Sequence, residues 1–127
     1  MRKLLATWVL MSLCSTAYSQ VEVWACQAQA SAGLKWEANR WSSTTFVERS
    51  YLIRLDGENS TYGSGEVQYA TACSKSGTTV RCNDSTGGTI ILNTETGTGG
   101  ISELLGAVIT GAQRDTLSVT AVQCTKF

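Results

Sequence analysis

Cys26, Cys73, Cys82 and Cys124 are scattered at long, uneven intervals, and this spacing constrains the fold more than any other feature of the chain. Structural zinc sites bring their cysteines in close pairs, and no interval here is that short, so two disulfides are the expected use. Disulfides need an oxidising compartment. The N-terminus supplies a route to one: Met1-Arg2-Lys3 is a basic start, Leu4 to Leu13 is a largely apolar run, and Ala17-Tyr18-Ser19 puts small residues where a signal peptidase reads. The sequence therefore predicts a signal peptide over 1–19 and one disulfide-stapled domain over 20–127, periplasmic or secreted. The apolar run is shorter than the roughly 20 residues that span a bilayer, so no membrane span is expected.

A domain of this size buries enough surface for a true core, which disulfides reinforce and do not replace. The chain carries ten basic and ten acidic residues, and loss of Arg2 and Lys3 with the signal leaves a slight acidic excess. That balance gives no reason to expect nucleic acid or an anionic membrane as partner.

Thr, Val, Ser and Gly dominate the domain, and turn signals recur at short intervals, the pattern of an antiparallel all-β fold. Val21–Gln27 alternates as a first strand. Leu34–Trp36 and Trp41–Val47 flank Glu37-Ala38-Asn39-Arg40, a hairpin loop in which Asn39 can be left-handed. Arg49–Leu55 puts Tyr51, Ile53 and Leu55 on one face and ends at the turn signal Asp56-Gly57. Glu58–Gly65 is polar and reads as a loop or a weak edge strand.

Val67–Cys73 and Thr78–Asn83 surround a second hairpin loop, Ser74–Gly77, which brings Cys73 near Cys82. Thr89–Asn93 is a short buried strand, Thr94–Gly97 a turn, and Gly99-Gly100 a flexible entry to one helical turn, Ser102–Ala107, with Ser102 as N-cap. Thr116–Cys124 is the last strand. If first and last strands close a small barrel or a two-sheet sandwich of about eight strands, Cys26 meets Cys124. The favoured pairing is thus Cys26 with Cys124 and Cys73 with Cys82.

Absence of histidine removes the commonest general base and metal ligand, and with it serine triads and zinc hydrolases. No Cys-x-x-Cys redox motif is present. Paired carboxylates are the remaining route to hydrolysis, with Asp56 and Glu58, or Asp84 and Asp115, as the pairs; each residue has a simpler reading as a turn former or ion-pair partner. A non-enzyme without metal or cofactor is expected. Trp36 and Trp41, flanked by Lys35 and Arg40, form the candidate binding surface, able to stack on a sugar or pack beneath a cation. The same tryptophans also read as a cross-strand pair that pins the hairpin.

Trp24-Ala25-Cys26-Gln27, Gly33-Leu34-Lys35-Trp36, Arg40-Trp41, and the ending Arg114-Asp115-Thr116-Leu117-Ser118-Val119 through Cys124-Thr125-Lys126-Phe127 resemble small exported β-domain proteins of proteobacteria to which no activity is assigned. That resemblance implies a compact periplasmic β-domain and carries no site residues. In size, export and disulfide use the chain is also broadly similar to periplasmic lysozyme inhibitors, although no segment matches their inhibitory loop. The expected function is an exported, non-enzymatic binding or interaction domain for a periplasmic protein or a saccharide. The alternatives are a lysozyme-inhibitor-like protein and, last, a carboxylate-dependent hydrolase.

Overall fold

The computed structural model describes residues 20–104 and 116–127; the expected signal peptide lies outside them. Nine strands form one antiparallel sheet among these residues: β1 (Glu22–Glu37), β2 (Arg40–Thr45), β3 (Ser50–Leu55), β4 (Ser60–Ser64), β5 (Val67–Ser76), β6 (Thr79–Asn83), β7 (Thr89–Asn93), β8 (Thr98–Glu103) and β9 (Thr116–Lys126). Their order is β2-β1-β3-β4-β5-β6-β7-β8-β9, and β1 also pairs with β9. Strands β1 and β3–β9 therefore close an eight-stranded barrel, and β2 is an extra strand outside it.

Closure rests on β1, which the sequence pattern splits into two strands and a connection but which runs unbroken for 16 residues. Its first half, Glu22–Gln27, pairs with β3; its second half, Ala32–Glu37, pairs with β2; and β9 follows the opposite edge from Trp24 to Lys35. The linking run Ala28-Gln29-Ala30-Ser31-Ala32-Gly33 is too small and too uniform to show strand alternation. What holds it extended is the β9 edge, which a side chain at Gly33 would foul by striking the Leu117 carbonyl. A bulge between Ala28 and Ala30 flips the alternation. After it Ser31 faces inward, and its hydroxyl meets the buried Thr120 hydroxyl at 2.8 Å.

Side chains fill the interior. Trp24, Ile53, Tyr62, Val80, Leu92, Ile90, Ile101 and Val122 are buried, together with Cys26, Cys82 and Cys124. Both disulfides join residues directly opposite in register, Cys26–Cys124 across the β1–β9 seam and Cys73–Cys82 across β5–β6, with Cα separations of 3.9 and 4.0 Å. These are the pairings expected from the strand pattern, and they suit an oxidising, extracellular-type environment. Arg54, Gln68, Arg81 and Asn83 face outward between inward-facing partners, as do the exposed apolar Leu52, Ile91 and Val119, so the interior is apolar and the outer face mixed. No helix among the described residues is long and apolar enough to cross a membrane.

Two expected elements change. Glu58–Gly65 is neither a loop nor an edge: a 3-10 turn at Gly57–Asn59 leads into β4, which lies between β3 and β5 with Ser60, Tyr62 and Gly63 buried. Ser60 looks polar enough for a loop, yet its hydroxyl is consumed by the turn itself, accepting from the Asp56 N–H at 2.8 Å and donating to the Gly57 carbonyl at 2.7 Å. The helical turn expected at Ser102–Ala107 is also displaced. Ser102 and Glu103 extend β8 against Thr89, Val119 and Ser118 of its neighbours, and Gly99-Gly100 are strand residues; 105–107 lie outside the described residues.

Candidate functional site

Strand direction sorts the loops onto two ends. The Gly57–Asn59 turn, the Gly77-Thr78 turn, the Thr94–Gly97 turn and the C-terminus share one end, where Glu22 receives the Trp24 indole N–H at 3.2 Å and pairs with Lys126 at 3.3 Å. Burial pushes the Glu22 carboxyl up, but the Trp24 hydrogen bond and the Lys126 and Lys75 charges outweigh it and hold it below the ordinary range. That end also carries a depression of about 220 Å³, lined by Glu22, Leu55, Gly57, Cys73 and Lys75, in which Glu22 is already occupied by its own partners. The opposite end carries the β1–β2 arm, residues 46–49, the Gly65-Glu66 turn and the Asp84–Gly88 loop, and here the barrel wall opens into two depressions.

The arm is a two-residue hairpin. Glu37 opposes Arg40, and Ala38 and Asn39 between them both sit at positive φ, 49° and 60°, the geometry of a type I′ turn. Trp36 therefore faces Trp41 directly, with ring centroids 5.3 Å apart and planes at 69°. Alternation divides the four residues singled out in the sequence. Trp36 and Trp41 lie on the outer face of the arm, while Lys35 opposes Ser42, Arg40 opposes Glu37, and both lie on the inner face. Lys35 pairs there with Glu37 at 2.8 Å. The edge-to-face tryptophans present an edge, which suits pinning the hairpin register; Lys35 lines the groove below, and Arg40 does not.

That groove, about 500 Å³, is walled by the inner face of the arm and the first residues of β9. Ser31, Thr44, Thr116, Ser118 and Thr120 line it with hydroxyls, and Lys35, Arg49 and Glu103 supply charge. Arg49 makes no side-chain hydrogen bond or ion pair among the described residues, although its carbonyl is tied to the Ala28 N–H at 2.9 Å. Its backbone is thus fixed while its guanidinium lines the groove. Arg49 was legible only as the first residue of a strand, because nothing local shows that the barrel end turns it toward β9.

A second pocket, about 140 Å³, lies across Glu103 and is lined by Tyr62, Tyr69, Thr86, Gly88, Glu103 and Leu104. The Tyr62 and Tyr69 rings stand 5.6 Å apart at 39°. Behind them the Tyr62 hydroxyl donates to Asp84 Oδ2 at 3.0 Å, and Asp84 Oδ1 accepts from the Thr86 N–H and hydroxyl at 2.8 Å each and from the Gly88 N–H at 2.7 Å. Burial pushes the Asp84 carboxyl up, but these hydrogen bonds, led by Thr86 and Gly88, outweigh it and leave the carboxyl below its ordinary value. Burial, then the bond to Asp84 and the charges of Asp84 and Glu103, push the Tyr62 phenol well above its ordinary range, so it stays a donor. Gly88 cannot be replaced without collision, since a side chain there would strike Asp84 Oδ2 and the Tyr62 hydroxyl.

Of the carboxylates weighed for hydrolysis, Asp56 sits at the first end, bound to Arg54 at 3.2 Å, with exposed Glu58 in the same turn. Asp84 is the turn former at the other end, and Asp115 lies outside the described residues. No group of three or more Cys, Asp or Glu side chains placed to hold a metal occurs among the described residues.

Fold and site together define a disulfide-stapled, closed antiparallel barrel with a filled interior and two depressions at one end. Compared with protein-family models, with curated proteins and with solved structures, the chain gives no match.

Proposed function

We propose that this protein is an exported, non-enzymatic binding module that works in the periplasm or outside the cell and takes a saccharide in the arm groove. One observation carries the reading: a groove of about 500 Å³ is lined by hydroxyls and by an arginine with no side-chain partner among the described residues. Hydroxyls that both donate and accept match the alternating hydroxyls of a sugar. Arg49, whose guanidinium has no partner among the described residues, gives the groove a cation that a carboxylate or sulfate can meet, so acidic saccharides fit better than neutral ones. The non-enzymatic part rests on the use already made of the acids weighed for hydrolysis: Asp56 is bound to Arg54, and Asp84 is saturated by donors from Tyr62, Thr86 and Gly88.

Screening the purified domain on an array of neutral and acidic oligosaccharides tests this. Retention of acidic members, lost in Arg49→Ala while circular dichroism is unchanged, is the expected result. The reading fails if no saccharide is retained or if Arg49→Ala binds as well as the parent. Release of reducing ends from a retained saccharide would show an enzyme instead.

A further inference from the structure

The smaller pocket does not share the chemistry of the groove. Of its six lining residues, Glu103 alone is charged, and no lysine or arginine reaches it. Glu103 makes no hydrogen bond or ion pair among the described residues. Asp84 adds a second negative charge directly behind Tyr62, and its hydrogen bonds keep it ionised. Two packed tyrosine rings, whose faces carry the negative side of the ring quadrupole, both line the pocket. Cross-strand register accounts for the tyrosine pair, since Tyr62 opposes Tyr69; it does not account for an unpaired carboxylate beside the rings or for the open volume that they line with Thr86, Gly88 and Leu104.

We propose that the pocket bounded by Tyr62, Tyr69 and Glu103 binds a small organic ammonium group, a cationic nitrogen carrying apolar carbons. Aromatic faces attract such a cation, and Glu103 neutralises it. The pocket, about 140 Å³, is close to the roughly 150 Å³ engineered cavity that admits benzene, so a methylated or alkyl ammonium head fits and a whole saccharide does not. An organic cation is favoured over a metal ion because Asp84 is already saturated by protein donors, which leaves Glu103 as the sole carboxylate ligand. This second site stands whether or not the groove takes a sugar.

Titrating the isotopically labelled domain with choline, with n-butylammonium and with 3,3-dimethylbutanol, the uncharged isostere of choline, separates the outcomes. Expected are saturable shifts at Tyr62, Tyr69, Gly88 and Glu103 with at least one ammonium and none with the alcohol; which ammonium binds distinguishes a methylated head from a primary amine. Glu103→Gln and Tyr69→Ala should each weaken the interaction about tenfold, and Tyr69→Phe should retain it. Both positions are exposed, so the fold should survive. Equal binding of the alcohol, shifts elsewhere on the surface, or no saturable shift with either ammonium would overturn the proposal.

Discussion

Asp84 is the residue on which the open end depends, because one carboxylate accepts from Thr86, Gly88 and the buried Tyr62 at once. Asp84→Ala leaves the Tyr62 hydroxyl and two backbone N–H groups without that acceptor, at a cost of about 1–3 kcal/mol, measurable as a lower urea midpoint with an unchanged slope. The pH dependence has a definite sign. Asp84 titrates below its ordinary 3.8 in the folded state, so its contribution is complete above that value and is lost as pH falls through the lower folded one. Asp84→Asn should therefore flatten the acid limb of stability between the two values, and an acid limb identical to the parent's would refute that assignment. The turn-forming role of Asp84 was legible in the sequence, where it follows a strand and precedes Gly87-Gly88. Its bond to Tyr62 was not, because the partners are 22 residues apart, and Asp84 follows β6, which is not a neighbour of Tyr62's strand β4.

Hairpins are the elements the sequence shows best, since their register follows from a few local residues. The arm turn is one case, and it also holds a local conflict: Ala38 occupies a left-handed position at φ 49° that favours glycine or asparagine. Ala38→Gly should stabilise the domain by about 0.5–1 kcal/mol, raising Tm by about 2–6 °C. A lower Tm would mean that the turn is not type I′. The elements that local pattern hid are those whose conformation is imposed from both sides. β4 is polar, short and glycine-containing, and it becomes a central strand because β3 and β5 satisfy both its edges. Ser102 and Glu103 carry helix-start chemistry, but pairing with β7 and β9 holds them extended. In each case hydrogen bonds to distant strands outweigh propensity differences of a few tenths of a kcal/mol.

The whole molecule depends on the β1–β9 seam, because closing it removes the free edges that an eight-stranded sheet would otherwise expose. In the sequence this closure was legible as a condition: if the first and last strands met in a barrel or sandwich, Cys26 and Cys124 would pair. The two depressions were not legible. They arise where strand ends from distant parts of the chain converge, so Arg49, Glu103 and Tyr69 carry no motif that marks them. The same geometry ranks the disulfides. Cys26–Cys124 spans 98 residues and Cys73–Cys82 spans 9, and the entropy withheld from the unfolded chain grows with loop length. Replacing both cysteines of the seam by alanine should cost about 4–5 kcal/mol, against about 2–3 for the hairpin pair. Eleven register pairs between β1 and β9 remain without the cross-link, so the seam variant should still fold at low denaturant, with its midpoint below that of the hairpin variant. Equal midpoints, or a lower one for the hairpin variant, would show that the seam disulfide acts through native contacts and not through the unfolded chain.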